Sequence, residues 1–104
     1  MEHNYFVTVP INQTGIDEIE QMQEASTNFE TYIIPAEEYR ELWKAHVFDV
    51  INKRFGLMID DNESEKVTAE QLQKVLQAID VVPGVFIDAV KAAIGFGTRI
   101  YLDF

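Results

Sequence analysis

The sequence has no cysteine, only three prolines and five glycines among 104 residues, and no Lys or Arg before Arg40. Each absence removes a class of answers. Without cysteine there is no disulfide scaffold, no thiolate metal site and no cysteine nucleophile, which fits a reducing compartment and predicts a cytoplasmic protein. The prolines and glycines are scattered as punctuation, so they mark element ends, and no linker, repeat or low-complexity stretch is expected. No apolar run approaches the roughly 18 residues of a membrane span. The opening stretch MEHNYFVTVPINQ lacks a basic n-region and an apolar h-region, so neither insertion nor export is predicted. Cations are too few for phosphate backbones or anionic lipid: 8 basic residues stand against 18 acidic ones, with a net charge of -10.

What the chain does have is apolar material, 47% hydrophobic and 12% aromatic residues, enough for one domain spanning residues 1–104 with its own core. The acid is unevenly placed. From Met1 to Tyr39 the acids are Glu2, Asp17, Glu18, Glu20, Glu24, Glu30, Glu37 and Glu38 with no base, a local charge of -8; from Arg40 onward ten acids meet eight bases. A block of that kind marks a solvated face or a surface aimed at a cationic partner.

Periodicity predicts the elements. Tyr5 to Val9 (YFVTV), closed by Pro10, reads as a strand. Thr14 with Asp17 caps a short helix whose Ile16, Ile19 and Met22 face inward. Phe29 to Ile34 (FETYII) is a second strand ended by Pro35. Residues 36–55 read as one long helix, with Tyr39, Trp43, Val47, Val50, Ile51 and Phe55 on its apolar stripe and Gly56 as its stop. Leu57 to Ile59 form a short extended segment, and Asp60 to Lys66 (DDNESEK) a surface loop. Thr68 with Gln71 makes a capping box, and Val67 with Leu72 a hydrophobic staple, for a helix over 69–79. Phe86, Ile87, Val90 and Ile94 define a last helix stopping at Gly95. Arg99 to Phe104 alternates as a final strand with Ile100, Leu102 and Phe104 on one face. The predicted class is α+β (mixed α/β): about three strands in one small sheet, about four helices mainly on one side, order β-α-β-α-α-α-β. The first two strands, joined by a helical crossover, are expected to be parallel if adjacent.

The motifs of chemistry fail one by one. The loop from Asp60 has acceptors at Asn62 and Ser64, but Glu65 stands where an EF-hand needs glycine and Gln71 where it needs a bidentate Glu, so no metal or other cofactor is predicted. His3 and His46 do not make a ligand set, and His46, between Trp43, Val47 and Val50, reads as a partly buried boundary residue. Ser26 and Ser64 sit in polar turns outside any nucleophile elbow. Gly95-Phe96-Gly97 lies between a helix and a strand, the reverse of the order phosphate loops use, and reads as a turn. No catalytic residue is assigned, and an enzyme is not expected.

The acidic block remains. At about 100° per residue, Asp17, Glu20 and Glu24 fall in a stripe about 60° wide beside the isoleucines. Helix-dipole and solubility effects account for Asp17 and Glu18 but not for Glu20, Glu24 and Glu30, nor for the missing bases. The candidate partner-binding residues are therefore Asp17, Glu20, Glu24, Glu30, Asp60, Asp61 and Glu63, with Tyr32, Tyr39 and Tyr101 as aromatic anchors.

In size, acidity, class and lack of cysteine the whole chain resembles bacterial immunity proteins that neutralise toxic nucleases, including those paired with contact-dependent growth-inhibition toxins. The resemblance matches no motif and carries over no residue. It implies a cognate toxin with a basic surface as partner, and no direct contact with nucleic acid or membrane. Two rivals accompany it: an adaptor or regulatory subunit binding through an aromatic and apolar surface, and a nucleic-acid mimic, which needs carboxylates spaced like phosphates.

Overall fold

The β-branched run that opens the sequence becomes β1 (Tyr5–Pro10), an inner strand whose Val7 and Val9 are fully buried. In the computed structural model, which describes residues 4–23, 25–60, 64–78 and 83–104, it is followed by α1 (Gln13–Glu20), β2 (Phe29–Ile34), α2 (Ala36–Lys44), α3 (Val47–Phe55), β3 (Ser64–Thr68), α4 (Ala69–Ala78), α5 (Val85–Phe96) and β4 (Arg99–Asp103). The mixed α+β class holds, but the described residues form four strands and five helices. The strands lie in the order β2-β1-β4-β3, every neighbouring pair antiparallel.

Three expectations are corrected. First, β1 and β2 are antiparallel: Pro10 pairs with Phe29 at one end and Tyr5 with Ile34 at the other. The eight residues of α1 rise only about 12 Å, and the Ile11 N–H donates to the Asn28 carbonyl at 2.9 Å, so the excursion returns to the sheet end it left. Second, the polar stretch read as a loop through Lys66 contains the start of β3. Only Val67 is buried there, because β3 is an edge strand whose exposed charges discourage further pairing.

Third, the long helix is broken. His46 takes the left-handed conformation (φ 61) between α2 and α3, and the expected boundary histidine is exposed, with Nδ1 3.1 Å from the Asp49 carboxylate. On one continuous helix Leu42 would stand about 60° outside one edge of the predicted stripe and Phe48 about 20° beyond the other. The break buries both, at 1% and 0% exposure. Burying a side chain such as Leu42 is worth about 1.5–3 kcal/mol, which offsets the cost of about 1–2 kcal/mol for one left-handed residue.

The inner face of the sheet, with Val7, Val9, Ile34, Val67, Ile100, Leu102 and Phe104, is covered by α5, which contributes Phe86, Ile87, Ala89, Val90 and Ala93. Tyr39, Phe48 and Phe104 form an aromatic cluster behind it, with Tyr5 stacked on Tyr39 at 3.7 Å. The capping box forms as predicted, Thr68 N–H to Gln71 Oε1 at 3.0 Å and Gln71 N–H to Thr68 Oγ1 at 3.2 Å. Helix α5 has only Gly84 at its N-cap. Glu38 of α2 caps it instead, accepting from the Val85 and Phe86 N–H groups at 2.9 and 2.8 Å.

The short α1 packs on the opposite, outer face, near the Pro10–Phe29 end, where a Cβ on residue 15 would collide with the Asn28 carbonyl. Asn12, not Thr14, caps it, its Oδ1 accepting from the Gly15 N–H at 2.8 Å.

Candidate partner-binding surface

Because α1 is short, it leaves the rest of the outer sheet face open. Strand alternation and register place Phe6, Ile33, Asp103 and Ser64 in one row of that face, and Thr8, Thr31, Tyr101 and Lys66 in the next. The end of α1 and the β3–β4 pair enclose an open groove of about 690 Å³. Ile19, Met22 and Tyr101 contribute its apolar wall; Glu20, Lys66 and Asp103 line it from the outer face, while Glu65, opposite Leu102, shares the helix-side face with Val67.

Glu20 is the pivot. Its Oε1 accepts from the Tyr101 hydroxyl at 2.8 Å and lies 3.6 Å from Lys66 Nζ. The Tyr101 hydrogen bond holds the Glu20 carboxyl below its ordinary pKa, helped by Lys66 and Arg99 against a smaller desolvation effect. Tyr101 is pushed up to about 12, first by partial burial and then by the hydrogen bond to Glu20 and its charge. Glu65 and Asp103 form no ion pair among the described residues.

The other predicted residues divide. Asp17 is exposed on α1, one turn from Glu20, with Gln13 Nε2 donating to it at 3.0 Å. Glu24 falls outside the described residues. The stripe it was to extend stops at Glu20, because the helix ends there and Met22, expected to face inward, is left-handed (φ 62) and 87% exposed. Glu30 is separated from the groove. It shares a register row with Val9, on the helix side of the sheet, and its Oε2 accepts from the Tyr32 hydroxyl at 2.8 Å. Tyr32 is raised to about 12, by burial first and then by Glu30, with Asp88 of α5 adding to it, so these groups form a second acidic spot beside the β2 edge. Asp60 is exposed ahead of β3, while Asp61 and Glu63 fall outside the described residues.

Tyr39 is no surface anchor: it is buried at 4% exposure within the aromatic cluster. Tyr32 and Tyr101 are half-buried, with their hydroxyls held by carboxylates. Glu65, Lys66 and Met22 were missed from the sequence. Lys66 and Glu65 looked like loop residues, and Met22 occupied an apolar helical position. No group of three or more His, Asp or Glu residues suited to a metal ion occurs among the described residues.

Comparison with protein-family models, with curated proteins and with solved structures finds no match to this chain. Among the described residues no helix is long and apolar enough to cross a membrane.

Proposed function

We propose that this chain is an acidic protein-binding module that acts in the cytoplasm as an immunity protein, occupying the basic surface of a cognate toxin, a nuclease. One observation carries the reading. Of the described carboxylates before Arg40, only Glu20 forms an ion pair, and Asp17, Glu20, Glu30 and Glu37 are exposed, so much of this charge is left facing solvent instead of being neutralised by cations of the fold. Nucleases present cationic grooves to their substrates, and an exposed carboxylate surface gains steered association and charge-assisted hydrogen bonds there.

The nucleic-acid mimic draws less support, since Asp17 and Glu20 are one turn apart and Glu30 stands on the other side of the sheet. The adaptor reading is favoured by one observation, the 54% exposed Ile33 beside Phe6 on the open face.

Co-expression with the product of the adjacent gene tests the proposal. Growth is restored and a stoichiometric complex isolated if the neighbour is the toxin; a non-toxic neighbour that does not bind sinks the immunity reading. Within such a complex, raising salt from low to physiological strength lowers the association rate about tenfold or more, and Asp17→Lys with Glu24→Lys lowers it further while folding is retained. A salt-independent rate measured by stopped flow favours the apolar adaptor.

A further inference from the structure

We infer that an extended segment of the partner protein, alternating basic and apolar side chains, adds to the sheet as a fifth strand along the free edge of β2. This deepens the proposed function by naming where the partner docks, and it rests on that reading for the partner's identity. The edge is defined by hydrogen-bond parity. The Ile11 N–H donates to the Asn28 carbonyl just beyond the Pro10–Phe29 pair, and bonded and non-bonded pairs alternate along an antiparallel ladder. Glu30, Tyr32 and Ile34 therefore bond to β1, and Pro10 falls in a non-bonded pair, as its missing N–H requires. Its carbonyl turns the other way and accepts from Thr98 Oγ1 at 2.7 Å. The main-chain N–H and C=O groups of Thr31 and Ile33 consequently point outward from the sheet, with no hydrogen-bond partner among the described residues.

The two edges of the sheet are not alike. On β3, Lys66 stands mid-strand and Gln71 Oε1 takes the outward Thr68 N–H, so that edge is blunted. Strand β2 has neither device: its six pairs with β1 run without a bulge, it carries no Lys, Arg or internal Pro, and Thr31 and Ile33 are exposed. Unpaired main-chain groups attract any extended chain, so side chains select among them. Charge complementarity makes that selection here. Glu30 on the helix side of β2 and Asp88 of α5 both act on the Tyr32 hydroxyl, and neither is in an ion pair among the described residues, so basic side chains match that side of an added strand. On the outer side Ile33, 54% exposed beside Phe6, matches apolar ones. A second copy of the chain would set Glu30, Asp88 and a net charge of -10 against the same groups, which disfavours self-pairing through this edge.

The probe is a blocked peptide, acetyl-Val-Arg-Val-Lys-Val-amide, titrated into the isotope-labelled full chain and followed by amide NMR shifts and hydrogen exchange. One control N-methylates its valines, which removes the pairing N–H groups; another replaces Arg and Lys with Glu. In the free chain the Thr31 and Ile33 amides are expected to exchange freely while those of Tyr32 and Ile34 are protected. Saturable shifts centred on residues 30–34, with exchange at Thr31 and Ile33 slowed about tenfold or more, are expected for the basic peptide and for neither control. Thr31→Pro removes an outward N–H at an edge position that tolerates proline, and is expected to abolish binding. Glu30→Lys changes an exposed side chain, is expected to weaken binding about fivefold, and keeps the test informative if the proline variant unfolds. Protected Thr31 and Ile33 amides in the free chain, whether covered by its own residues or by a dimer seen in sedimentation, overturn the open edge. Shifts gathered on β3, equal binding of either control, or no saturable shift at millimolar peptide overturn the added strand. Co-expression reports separately: growth restored equally by Thr31→Pro and the unaltered chain retires the added strand and keeps immunity, whereas peptide pairing without any protection retires only the immunity reading.

Discussion

Glu38 and Glu20 show how one carboxylate can serve the fold or the surface. Glu38 lies in the acidic block, yet both its oxygens are spent on the N–H groups that open α5. Glu38→Ala leaves two helix N–H groups without a side-chain partner and is expected to cost about 1–2 kcal/mol. Urea denaturation measures this, and an unchanged midpoint would show that water replaces the cap. Glu20 instead joins a surface network, and its partner Tyr101 carries the pH signature. The hydroxyl has its pKa raised from 10.0 to about 12, so the stability it contributes is complete below pH 10 and is lost as pH rises towards about 12. Glu20 is lowered, so its contribution is present above its ordinary value of 4.5 and is lost as pH falls through the lowered one. Ultraviolet titration of Glu20→Gln is expected to move Tyr101 back towards 10; no movement would assign the whole shift to burial.

At the scale of elements, the sign of one substitution distinguishes a broken helix from a continuous one. His46 is left-handed and its side chain is 75% exposed, with only a solvent-screened contact to Asp49. His46→Gly relieves the left-handed penalty and is expected to stabilise the protein by about 0.5–1 kcal/mol. In a continuous helix the same change would destabilise by a similar amount, and thermal unfolding decides between them. Sequence periodicity placed Tyr39, Val47 and Ile51 inward but missed Leu42 and Phe48 by joining the region into one helix, because a single stripe assumes an axis that does not bend. Strand β3 escaped for a related reason. A polar edge strand has little alternation of its own, and its identity comes from pairing with β4, a partner remote in sequence.

For the whole molecule the charge of -10 sets a cost that salt relieves. Exposed carboxylates with few ion partners repel one another, so the unfolding temperature is expected to rise as ionic strength increases from low to physiological. Asp17→Lys is expected to raise it at low salt and to shrink the salt response. A salt-insensitive unfolding temperature would mean that the acids are too dispersed to repel. This same repulsion, retained at the surface, is what a cationic partner would discharge on binding.

Composition, periodicity and capping signals were enough to determine the α+β class, the inward faces of α5 and β4, the Thr68–Gln71 cap and the confinement of excess acid to the first 39 residues. These are local properties, written in the spacing of neighbouring side chains. Only the tertiary structure decided which acids share a surface. Folding β1 and β2 antiparallel put Glu30 beside the helices, and the early end of α1 left Met22 exposed. The joining of β3 to β4 brought Lys66 to Glu20 and set Asp103 along the same groove. Those placements follow from strand pairing between distant segments, whose register is set by which faces can be buried together, and no window along the chain contains that information.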